Sequence, residues 1–173
     1  MVVITAITTP IMIVIMALQG APLRSSSATP LGILDLEFAG KVERAGEIYK
    51  AWQPSIVPVA INNTLIDFLF ILSYGSFLYA CCLMLSKYYV EGWRKTGLWA
   101  GRLILVAALF DAVENILMFR TLGGSIYKEI VASTFMLASA KFLLVIFSIF
   151  YIFGSLLGLL FRRRVGGAKP VLN

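Results

Sequence analysis

Asp67, Asp111, Glu114 and Lys141 are ionisable residues set inside long apolar runs. A charge at the middle of a membrane span costs roughly 2.5 to 3.5 kcal/mol on insertion scales, so each needs a partner or a task. Glu114 lies three residues after Asp111 and Asn115 lies four after it, so a helix carries all three along one side. Three carboxylates against one ammonium leave a formal charge of minus two. A low-dielectric interior does not hold that charge bare: either one or two carboxyls carry a proton, or a cation, an amine-bearing ligand or water answers the excess. Such a set has a structural use, in which Lys141 pairs with Asp111 or Asp67 to fix helix register, and it suits two kinds of chemistry. One is a ligand or ion site opening to the outer face, centred on Asp111 and Glu114. The other is general acid–base work by Asp111 or Glu114 on a lipid or isoprenoid, with Lys141 stabilising negative charge.

The rest of the composition narrows these options. Of 173 residues 60% are hydrophobic and 14% charged, which excludes disorder and argues against a soluble enzyme. Histidine is absent, and with it go Ser-His and Cys-His catalysis and the commonest nitrogen ligand for zinc or haem. The adjacent Cys81 and Cys82 form neither a CxxC motif nor a disulfide framework, so they read as packing residues. No cofactor and no metal site is expected. The net charge of +6 comes from basic residues beside the apolar runs, where anionic lipid head groups rather than nucleic acid meet them.

Helices must position these residues, and the length allows four crossings at about 20 residues each. The expected fold is all-α: one membrane domain over 1–173, a four-helix bundle with an additional amphipathic interfacial helix between spans 1 and 2. The spans are expected at about 2–18, 57–86, 98–119 and 129–161, followed by a basic tail at 162–173. The first run has no Lys or Arg before it and a poor cleavage site at Gly20-Ala21, so it reads as a retained helix kinked at Pro10. Between spans 1 and 2, Leu34, Phe38, Val42, Ala45, Tyr49 and Trp52 recur at steps of four or three. That spacing predicts an amphipathic helix over about 33–52, divisible at Gly40, with Glu37 on its polar side. It either lies in the membrane interface or packs on the bundle's own loops, with Trp52 at the membrane edge.

The loop KYYVEGWRK and the run Arg162-Arg163-Arg164 fall on the side of the N-terminus, which the positive-inside rule makes cytoplasmic. Counted inward from the outer face at about 1.5 Å per residue, Glu114 is then roughly 8 Å deep and Lys141 roughly 18 Å. The polar set shares the outer half of the bundle. Asn62, Asn63 and Tyr74, with Ser133, Thr134 and Ser139, are expected to complete its hydrogen bonding. Arg120 is the expected additional counter-charge, and Arg102 is expected to snorkel toward head groups. Gly97-x-x-x-Gly101 and Gly154-x-x-x-Gly158 permit close helix approach, within this chain or to another subunit or a second copy.

The strings LDLEFAG at 34–40, ERAGEIYKAW at 43–52, IDFLFILSYG at 66–75, LFDAVEN at 109–115 and SAKFLL at 139–144 resemble a group of small bacterial four-helix integral membrane proteins. The likeness covers about residues 31–150. It implies the four-span architecture, a bacterial inner membrane and pattern positions at Glu37, Asp67, Asp111, Glu114, Asn115 and Lys141, and it implies no activity. The leading expectation is therefore a non-enzymatic inner-membrane protein, an accessory subunit or an amphiphile- or lipid-binding protein with a polar pocket in the outer half. A lipid-modifying enzyme stands second. Proton or cation translocation stands third, because the inner half offers little beyond Arg102 and Ser86 to continue a polar path. The expected partners are membrane lipids, with other membrane subunits or a homodimer as further candidates.

Overall fold

The computed structural model describes residues 2–165, with side chains described for 2–161. The arginines at 162–164 and the rest of the basic tail at 162–173 lie outside the described side chains. The chain is helical in the order α1 (Val2–Gln19), a 3-10 turn (Ala21–Arg24), α2 (Ile33–Glu37), α3 (Val42–Trp52), α4 (Val57–Ser86), α5 (Glu91–Leu122) and α6 (Lys128–Val165). Among the described residues, α1, α4 and α6 are long and apolar enough to cross a membrane. α5 has the length, but Arg102, Asp111 and Glu114 interrupt its apolar stretch.

α5 packs along α4 on one side and α6 on the other, while α1 lies against α4. Neighbouring helices run antiparallel. Thr8 and Thr9 near the start of α1 bond Ser73 in the second half of α4, and Gln19 at the end of α1 donates to the Val59 carbonyl near the start of α4. α1 runs through Pro10 without a break and buries only Thr9, so most of its surface faces outward. At the far end of α4–α6 the expected small-residue contacts fall within the chain. Gly97 lies against Tyr151 and Ser86, Gly154 against Trp93 and Gly158 against Tyr89. A side chain at any of these positions would occupy the space of an aromatic ring.

The amphipathic segment is two helices rather than one. Gly40 takes φ 64°, a left-handed conformation that ends α2 and lets α3 start in a new direction. The apolar positions Ala45, Ile48 and Trp52 of α3 are fully buried against Leu23, Leu36, Val57, Met118 and Leu122. Of the two sequence expectations for this segment, packing on the bundle is what α3 shows, its apolar face lying in the protein's own core, while Phe38 after α2 stays 40% exposed. Trp52 is interior to the protein, where its indole N–H donates to the Leu23 carbonyl at 3.1 Å.

Candidate functional site

Under this cap the buried charges meet. α6 projects Lys141 inward, α5 projects Asp111 and Glu114 one turn apart, and the last residue of α2 supplies Glu37. The Lys141 ammonium lies 2.6 Å from Asp111 Oδ1, 2.8 Å from Glu114 Oε2 and 3.2 Å from Glu37 Oε2, and none of the four side chains is more than 8% exposed. The second oxygen of Asp111 accepts the Tyr74 hydroxyl at 2.7 Å. Asp67 joins from α4, its Oδ2 accepting the Asn115 side-chain amide at 2.7 Å. Three carboxylates, from α2 and α5, therefore share one ammonium, and a fourth, Asp67 of α4, joins the cluster through Asn115.

The arrangement is not saturated. Glu114 Oε1 and Asn115 Oδ1 are buried acceptors without a hydrogen-bond partner, and Glu114 and Asn115 are both fully buried. Lys141 approaches Glu114 and Glu37 as an ion pair rather than along a hydrogen-bond direction, since Glu114 Oε2 and Glu37 Oε2 also lack a directed bond. A buried acceptor left without a donor costs about 1–3 kcal/mol. The site thus combines excess negative charge with free acceptors, and both call for a donor of positive charge. No family model, curated protein or solved structure matches this chain.

Asp111, Glu114, Lys141, Asp67, Asn115 and Glu37 converge as a group. Asn62 and Asn63 do not join it. Asn62 is exposed, and the Asn63 amide donates instead to Gln19 Oε1 at 2.6 Å and the Met16 carbonyl at 3.3 Å, tying α4 to α1. Arg120, expected as a second counter-charge, is exposed at the end of α5 and pairs with none of these carboxylates. Thr134 and Ser139 spend their hydroxyls on the carbonyls of Ile130 and Phe135, one turn back in α6, and Ser133 is exposed. Arg102 is exposed and stacks over Trp99. Among the described residues no cluster of His, Cys, Asp and Glu is arranged to hold a metal ion. The carboxylates face an ammonium instead.

Tyr74 has a measurable part in this. Its phenol is the neutral donor to an otherwise ion-paired Asp111, and a hydrogen bond to a charged group contributes about 1.5–3 kcal/mol. Tyr74→Phe keeps the ring contact with Phe70 and removes that donor alone. We expect its thermal unfolding in detergent to shift down by roughly 3–12 °C. A midpoint within a degree of the parent would show that Asp111 does not need the phenol.

Proposed function

We propose that this chain is a four-span bacterial inner-membrane protein, both termini cytoplasmic, that binds an amine-bearing amphiphile in the outer half of the bundle without transforming it. The carrying observation is the charge count at the cluster: three carboxylates around one ammonium and a fourth, Asp67, beside them on Asn115, with Glu114 Oε1 and Asn115 Oδ1 still lacking donors. A primary ammonium brings positive charge and three N–H donors, which is what both deficits require. α5 fits as the remaining span because Asp111 and Glu114 turn inward, so its outward face of Leu105, Leu109, Val113 and Ile116 is apolar. Asp111 is held by two partners and Lys141 by three carboxylates, so neither is free in the way proton transfer in a catalytic cycle requires, and Glu114 is fully buried with Lys141 against one oxygen. That favours binding over acid–base catalysis.

Native mass spectrometry of the full-length protein released from mild detergent tests the reading. An amine-bearing amphiphile is expected to stay bound, with occupancy about tenfold lower in Glu114→Gln, equivalent to about 1.4 kcal/mol. Retention of amine-free lipids alone, unaffected by Glu114→Gln, would overturn it. Stoichiometric recovery of a second membrane subunit with the cluster empty would replace it with the accessory-subunit reading.

A further inference from the structure

A cavity of about 160 Å³ opens between the end of α1, the 3-10 turn and the start of α2, lined by Met16, Gly20, Arg24, Gly32, Leu34 and Asn63 among others. Its polarity is opposite to that of the buried cluster. Arg24 is exposed at its edge, its side chain lying along Gly32, whose φ of 70° and lack of a Cβ leave room for it. The acid nearest in sequence on α2, Asp35, is engaged elsewhere: it accepts the Leu31 N–H at 2.7 Å and lies 3.8 Å from Arg44. Arg24 therefore forms no ion pair among the described residues. Asn63 forms the α4 wall of the cavity, and Asp67 is four residues further along that helix, about 6 Å deeper at 1.5 Å per residue. Asp67 is half-buried, and the Asn115 amide that holds it carries one of the two free acceptors.

Resting on the proposed function, we infer that the cavity and Asp67 together take a phosphate ester with a primary amine close by, the head group of an aminophospholipid. The phosphate sits on Arg24, where a guanidinium offers paired donors to phosphate oxygens. The amine turns inward to Asp67 and the free acceptor of Asn115. The volume suits a head group and not acyl chains. Leu31 at the rim is 59% exposed, giving the chains an apolar exit toward the bilayer. An anionic lipid without the amine satisfies Arg24 and adds repulsion at Asp67. A single-chain amine satisfies Asp67 and leaves Arg24 idle. The aminophospholipid is the class that answers both ends.

The experiment is competitive binding to the full-length protein in detergent, read by native mass spectrometry, with phosphatidylethanolamine, phosphatidylglycerol and water-soluble glycerophosphoethanolamine. Phosphatidylethanolamine is expected to be held about tenfold more tightly than phosphatidylglycerol. Arg24→Gln is expected to weaken it about tenfold with unchanged thermal unfolding, since Arg24 is a surface side chain. Asp67→Asn keeps a hydrogen-bonding partner for Asn115 and is expected to erase the preference between the two lipids. The soluble head group at tenfold excess is expected not to displace the lipid; if it does, the ligand is a free ester and the lipid assignment falls. Equal binding of both lipids by the parent, or indifference to Arg24→Gln, overturns the inference. If a long-chain alkylamine still binds in a Glu114-dependent way under those conditions, the proposed function survives that failure.

Discussion

Lys141→Met is expected to lower the unfolding midpoint of the detergent-solubilised protein by roughly 6–20 °C, the equivalent of about 3–5 kcal/mol for breaking a buried ion pair from one side. The size of the effect follows from what remains. Methionine fills much of the same volume, so little packing is lost, but Glu37, Asp111 and Glu114 are left facing one another with no cation. A double-mutant cycle separates this cause from a packing defect. Glu114→Gln removes one of the stranded carboxylates, so Lys141→Met with Glu114→Gln is expected to melt above Lys141→Met alone, a coupling of the kind seen for residues in one charged network. Strict additivity of the two changes would mean that the cluster's charge balance does not govern its stability.

The second large effect is expected at Trp52, far from the charges in sequence but directly responsible for the cap above them. Its side chain is fully buried and ties α3 to the Leu23 carbonyl, and the residues around it come from α2, α3, α4, α5 and α6. Truncating a buried Trp to Ala costs about 3–5 kcal/mol. The location of the damage matters as much as its size. α2 reaches the cluster only through Glu37, with Phe38 against Phe135 and Phe142. Loosening the cap should therefore release Glu37 and open Lys141 from that side. Hydrogen exchange should show protection lost over residues 33–52 while the Gly97–Tyr151 and Trp93–Ser155 contacts at the other end of the bundle stay protected. Uniform loss of protection over the whole chain would show that the cap is not a separable element.

Much of this site was legible because charges in apolar runs are costly wherever they fall. Asp111, Glu114 and Lys141 stand out by type alone, and a three-residue step on a helix already brings the first two to one face. Glu37 was harder. A helical wheel drawn continuously from Leu34 to Trp52 places it among solvated residues, but the left-handed Gly40 resets the wheel, and α2 alone points Glu37 into the core. The burial of Trp52 was hidden for a related reason. An aromatic residue beside a span reads as a mark of the lipid interface, and only the tertiary placement of α3 shows that its side chain is packed inside the protein. Asn63 and Arg120 lie close to the cluster by helix position, but neither joins it. Asn63 is neutral and finds Gln19 on α1, a partner with no sequence signal, while Arg120 is exposed at the end of α5. α5, which carries two of the cluster's carboxylates, falls outside the helices apolar enough to cross a membrane because those same residues reduce its apolarity.

Recognition of positive charge by the acid cluster is tested most directly by isothermal titration of the purified full-length protein with two amphiphiles that differ only at the head, a long-chain alkylamine and the alcohol of equal chain length. With more carboxylates than the one ammonium balances and two donor-less acceptors at the cluster, the amine is expected to bind at least about tenfold more tightly, a difference of about 1.4 kcal/mol. That preference should disappear in Glu114→Gln with Asp67→Asn. Equal affinity for the two amphiphiles would contradict the account, leaving the carboxylates as a lock on helix packing.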